Sequence, residues 1–240
     1  MKVFIVTGYG AELCTYNDAA DFFNYLVKEV GIKKDDIFFY GPAEYEAKIN
    51  FYNIFAQICK RSRNEDLIIY YSGHGLDNCW SLKDYAEIPY EVLAHFLQDR
   101  SAPLIFINDC CFGMAAVDFL KDLYCRKLII GLAPKNLLGQ SDDNVGSVLL
   151  PDLFSSWRKY TLAHPKFKIK KEDLPEEMRD IVNLKMLGAS ALRYGDEIDY
   201  ILFPQKNMTQ YVYRASQLIL KIMQLVVELL RIFWCILKPS

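Results

Sequence analysis

Short apolar runs alternate with longer amphipathic segments along most of this chain, and that alternation limits what it can fold into. Six runs read as strands: Lys2–Thr7, Asp36–Tyr40, Leu67–Ser72, Pro103–Asn108, Lys127–Leu132 and Asp199–Phe203. They are rich in Val, Ile, Leu, Phe and Tyr, which suits strands buried on both faces. Between them the apolar residues recur at helical spacing. In Asn17–Val30 that set is Phe22, Tyr25, Leu26 and Val30, and Asn17 or Asp18 can cap the segment. Further helices are expected over residues 44–62, 91–98, 112–124 and 146–160, with Pro151 early in the last or kinking it. The pattern predicts an α/β fold: a three-layer sandwich whose mainly parallel central sheet is flanked by helices. In such sheets the ligand site lies beyond the carboxyl ends of the strands.

Two of these runs stop at reactive residues. "DLIIYYSGHG" brings a strand to His74, and "APLIFINDCCFG" brings another to Cys110 and Cys111. A thiolate is the nucleophilic form of cysteine, and a nearby histidine can take its proton and later return it to a leaving amine. One helix separates the two motifs, enough to set them on adjacent strands. Gly73 and Gly75 flank His74 and let the backbone turn beside a substrate. The amides of Gly75 and Cys111 could then form an oxyanion hole.

Composition narrows the classes. The chain has 240 residues, 52% hydrophobic and 24% charged, which is enough for a full core. A formal net charge of -2 gives no reason to expect a nucleic-acid partner. The densest basic stretch, Lys166–Asp173, reads as a solvated loop. Seven cysteines without C-x-x-C spacing and three scattered histidines form no metal constellation. A reducing cytoplasm is therefore the expected setting. The opening "MKVFIVTGYG" reads as a strand rather than a signal peptide.

"YYSGHG" and "NDCCFG" resemble the histidine and cysteine motifs of caspase-like cysteine peptidases, in particular the metacaspase and orthocaspase branch. In the D-x-C pattern formed by Asp109, Cys110 and Cys111, the nucleophile matches Cys111, with His74 as its partner. A third stretch, Cys14–Ala19, is similar to the family's G-C-x-N-D-A segment but lacks the glycine. The resemblance implies the caspase-haemoglobinase fold and a thiol protease, a hydrolase cutting protein substrates after Arg or Lys in a regulated cell-death or defence process. It also implies an acidic substrate-binding pocket made by Asp18, Ser72 and Asp109. Two carboxylates in one desolvated pocket repel unless a cation joins them, and the arginine fork suits both. Calcium-dependent metacaspases carry an acidic run after the histidine motif. Here only Asp77, Asp84 and Glu87 follow closely, so neither a calcium switch nor any other cofactor is expected.

The resemblance covers roughly residues 1–205 as a peptidase domain. Residues 206–240 read as a separate C-terminal amphipathic helix. From Arg214 to Lys238 the charged and amide residues, with Cys235 filling one gap, fall at steps of three and four, leaving a wide apolar face. Glu228 and Arg231 sit mid-segment, which disfavours a simple membrane span. The rest of the domain, a partner protein, a membrane surface or a membrane-embedded helix oligomer could cover residues 214–238. Two other functions stay open at this level: a catalytically inactive caspase-like scaffold, and a membrane-acting effector working through this helix.

Overall fold

In a computed structural model, the structure describes residues 1–8, 12–41, 48–82, 86–132, 141–142, 146–147, 149–158, 185–187, 191–196 and 198–202. The expected C-terminal helix and the basic stretch Lys166–Asp173 lie outside the described residues. Among the described residues no helix is long and apolar enough to cross a membrane.

The central sheet is built from β1 (Lys2–Thr7), β2 (Ile37–Tyr40), β3 (Leu67–Ser72), β7 (Leu104–Asp109), β8 (Lys127–Gly131), β11 (Lys185–Leu187) and β12 (Ala191–Gly195), in the order β11-β12-β8-β7-β3-β1-β2. Pairing is parallel from β2 through β8, while β12 joins β8, and β11 joins β12, antiparallel. The expectation of a mainly parallel sheet holds.

Strand parity sorts the side chains into two cores. Phe4, Val6, Leu67, Ile69, Tyr71, Leu104 and Phe106 face one helical layer. That layer is α2 (Lys48–Arg61), α3 (Tyr90–Leu97) and the short α4 (Ala116–Leu120). Val3, Ile5, Ile68, Tyr70, Ile105 and Ile107 face the other. There α1 (Glu12–Tyr25), its π-helical continuation Leu26–Val30, and α5 (Leu149–Arg158) supply Phe22, Tyr25, Leu26, Leu153 and Trp157. Helices thus cover both faces.

Several boundaries differ from those the sequence suggests. Helix α1 begins at Glu12, so Asn17 and Asp18 lie inside it and cap nothing. The helix expected over 112–124 shrinks to α4 after a 3-10 turn, Gly113–Ala115, because Phe112 takes a left-handed backbone, φ 54°, that breaks a helix there. Residues 146 and 147 join a two-stranded ribbon, β9 (Ser141–Asp142) with β10 (Gly146–Ser147), so α5 starts at Leu149. Pro151 falls in its first turn, where no hydrogen bond is lost. Asp199–Leu202 is a 3-10 helix rather than a strand. The sheet edge at β8 is already taken by β12, and the Leu202 carbonyl instead accepts a hydrogen bond from the Tyr25 hydroxyl at 2.7 Å.

A second small sheet was not legible in the sequence. Three antiparallel strands, β4 (His74–Leu76), β5 (Cys79–Ser81) and β6 (Glu87–Pro89), follow β3 directly. Their anchor is Trp80, fully buried and stacked on Tyr71 at 4.5 Å and on Phe106 at 5.4 Å between ring centres. Its indole N–H donates to Asn108 Oδ1 at 2.9 Å. Trp80→Ala should therefore cost about 3–5 kcal/mol, read as a lower denaturant midpoint. Leu76→Ala, at an exposed position of the same small sheet, should stay within about 0.5 kcal/mol of the wild type.

Candidate active site

The register between β3 and β7 builds the site. Ser72 pairs with Asp109, the last residue of each strand, so His74 and Cys111 each lie two residues beyond a paired position. The Gly73 amide extends the pairing by donating to the Asp109 carbonyl at 3.3 Å. His74 then opens β4 and is exposed, while Cys111 is partly buried. The two loops abut through Gly75. A Cβ there would stand 2.1 Å from the Cys111 carbonyl oxygen and 2.8 Å from Cys110 Sγ. Only a glycine lets β4 lie this close to the cysteine loop.

Tyr71 sets the height of β4. Its hydroxyl lies 2.6 Å from the His74 carbonyl and 2.8 Å from the Ser81 carbonyl, donating its proton between them. Asn108 holds the other loop: its amide donates to the Gly113 carbonyl at 2.7 Å, and its Oδ1 takes the Trp80 indole proton. Cys110 points into the core, 3% exposed, with its sulfur 4.0 Å from the Tyr90 hydroxyl. Burial pushes its thiol well above the usual range, so Cys110 is a protonated core residue at neutral pH.

The residues of the expected substrate pocket gather on the opposite face of the sheet. Asp18, Ser72 and Asp109 are buried together. Ser72 Oγ donates to Asp18 Oδ2 at 3.1 Å, and the Ser147 amide donates to Asp18 Oδ1 at 2.8 Å. The Tyr70 hydroxyl donates to Asp109 Oδ2 at 2.8 Å, and the Ser147 hydroxyl oxygen accepts the amides of Leu149 and Leu150 at the start of α5. Tyr70 and Ser147 were not anticipated. Tyr70 was foreseeable, because it lies two residues before Ser72 on the same strand face.

Burial raises both carboxyls. Asp18 is shifted upward by desolvation, against the pull of the Ser147 amide and the Ser72 hydroxyl. Asp109 is pushed up to about 7, first by desolvation and further by the neighbouring charge of Asp18, against the pull of the nearby Ser147 and Tyr70 hydroxyls. Among the described residues no Lys or Arg forms an ion pair with either acid; the ion pairs there are Met1–Glu65, Lys2–Asp36 and Arg158–Glu29. Also among the described residues, no group of three or more His, Cys, Asp or Glu is arranged to hold a metal ion.

No family model matches the chain, and no curated protein sequence matches it. Among solved structures, Raptor from Chaetomium thermophilum is similar over 68% of this chain and 18% of its own, at 10% identity and a TM-score of 0.45. The chain thus spans less than a fifth of that neighbour's length.

Two outcomes follow from this geometry. Gly75→Ala should push β4 off the cysteine loop and abolish any reaction that uses His74 and Cys111 together, while circular dichroism shows the fold retained. Asp109→Asn should change how stability depends on pH. An unfolded Asp titrates near 4, and folded Asp109 near 7, so between these values the folded state holds the extra proton. Stability from this group therefore falls as pH rises through that window. The variant lacks this loss, so its melting temperature relative to wild type should rise from pH 5 to pH 8. A difference that stays flat over that range would refute the assignment.

Proposed function

We propose that the chain is a caspase-like cysteine endopeptidase of the metacaspase and orthocaspase kind, hydrolysing proteins after Arg or Lys. The observation that carries this reading is the contact of Gly75 with the Cys111 carbonyl, which keeps the histidine and cysteine loops side by side at the carboxyl ends of β3 and β7. That is where a sheet of this kind takes its ligand.

In this mechanism His74 accepts the Cys111 proton, and the thiolate adds to the scissile carbonyl carbon. The oxyanion takes hydrogen bonds from the Gly75 and Cys111 amides. As the intermediate collapses, the C–N bond breaks and His74 gives its proton to the leaving amine. Water, deprotonated by His74, then hydrolyses the thioester and frees the acid and the thiol. The side chain before the cut bond enters between α1 and β3, where Asp18, Ser72 and Asp109 supply a site of negative charge. A guanidinium or ammonium replaces the missing countercharge of the two carboxylates, whereas an Asp side chain would add a third acid to them.

Peptides with Arg or Lys before the bond should be cut and those with Asp should not. Cys111→Ala should lower turnover by at least about a thousandfold, and Cys110→Ala should leave most of it, since Cys110 is a core thiol. A chelator should not change the rate. Mass mapping of an arginyl chloromethylketone adduct gives the nucleophile directly, and labelling at Cys110 would overturn the assignment.

A further inference from the structure

Tyr70 and Tyr71 are neighbours on β3 and point to opposite faces of the sheet, so each serves a different part of the site. Tyr71 holds the histidine loop, and Tyr70 reaches the acids. Tyr70 is fully buried, and its ring packs on Phe22 of α1 at 4.5 Å between ring centres. Its Cα pairs with Ile107, yet its hydroxyl donates to Asp109 Oδ2 at 2.8 Å, two residues further along β7. On that diagonal the two α-carbons stand about 8 Å apart, a gap that a phenol clamped by its ring spans as a stiff strut. Burial lifts the Tyr70 hydroxyl well above its usual range, so it remains a donor throughout the neutral range. The two acids are held differently. Asp18 accepts on both oxygens, from the Ser72 hydroxyl and from the Ser147 amide. Asp109 accepts on Oδ2 alone among the described residues, so the Tyr70 bond decides which of its oxygens stays open.

We propose that Tyr70 is a specificity-positioning residue, whose hydroxyl occupies Asp109 Oδ2 and fixes the carboxyl so that Oδ1 meets the cation of the side chain before the cut bond. The inference rests on the proposed cleavage after Arg or Lys. An acceptor already held in place spares the incoming guanidinium or ammonium the cost of ordering it. The bond also favours the charged form of Asp109, which is the form that pairs with a cation. The titratable groups around Asp109 are Asp18, with Asp21 behind it on α1, Tyr70 on β3 and the protonated Cys110 beside it. The polar ones are Ser72 on β3 and Ser147 on β10. Without the Tyr70 hydroxyl, Asp109 would be free to turn about its side-chain bonds and would hold its proton to higher pH. Asp18 would keep its place, because Ser72 and the Ser147 amide hold it.

The test compares wild type with Tyr70→Phe, which removes one oxygen and keeps the ring on Phe22. Arg and Lys peptides give KM and kcat at pH 7 and pH 9, and carboxyl carbon NMR follows the Asp109 titration, assigned by its absence in Asp109→Asn. At pH 7, Tyr70→Phe should raise KM for Arg peptides about tenfold with kcat within about twofold. The KM ratio should narrow at pH 9, where Asp109 is ionised in both proteins, and the Asp109 midpoint should move upward in the variant. In wild type the Tyr70 hydroxyl proton, buried and slow to exchange, should change its chemical shift with the Asp109 midpoint. A hydroxyl shift that ignores that midpoint overturns the role even if Tyr70→Phe does not fold. An Asp109 midpoint that does not move in the variant, or a loss confined to kcat, overturns the role of Tyr70 whichever peptides are cut. A wild type that cuts after neither Arg nor Lys overturns the functional reading, and the specificity role with it.

Discussion

The parallel pairing that sets Ser72 beside Asp109 governs everything else at the carboxyl edge of the sheet. Parity then sends Tyr70, Ser72 and Asp109 to the α1 face and Tyr71, Asn108 and Cys110 to the other. A slip of one residue would exchange the two sets. It would bury Tyr71 and Cys110 against α1 and leave Asp109 among the aromatic side chains around Trp80, parted from Asp18 on α1. The fully apolar interiors of β3 and β7 prevent that slip, since Phe106 has its stacking partner, Trp80, on one face only.

Burying two carboxylates is unfavourable, and the surrounding structure compensates with three donors: the Ser147 amide and the hydroxyls of Ser72 and Tyr70. The compensation is incomplete, because Asp109 still holds its proton near neutrality. The cluster is thus a place where stability is given up for charge, and the large apolar cores on both faces of the sheet carry the deficit.

The strands were legible because their apolar runs are long enough to need burial on both faces. Lys2–Thr7 and Leu67–Ser72 appear with the bounds expected of them. The short strands β4, β5 and β6 were not, since three residues such as His74–Leu76 carry no periodicity to read. Asp18, Ser72 and Asp109 could be named in advance through resemblance, and they do lie together. Ser147 could not, because what brings it to Asp18 is the β9–β10 ribbon and the entry into α5, neither of which leaves a local pattern. The 3-10 helix at Asp199–Leu202 was misread for a related reason: five apolar-rich residues cannot report that the neighbouring sheet edge is occupied.

Gly8, at the end of β1, touches none of the groups proposed to react, yet it has no freedom to change. A Cβ there would lie 2.0 Å from the Tyr71 hydroxyl oxygen, 2.6 Å from the ring carbon that bears it, and 2.7 Å from the Ser81 carbonyl. Removing the hydroxyl alone would not make room, because the ring and the β5 backbone remain. A side chain at Gly8 therefore cannot be reached through Tyr71→Phe as a tolerated intermediate. The two form a steric lock in which the first strand, the third strand and the small sheet share a single point of contact. Mutational paths that preserve the placement of His74 must go around that point rather than through it.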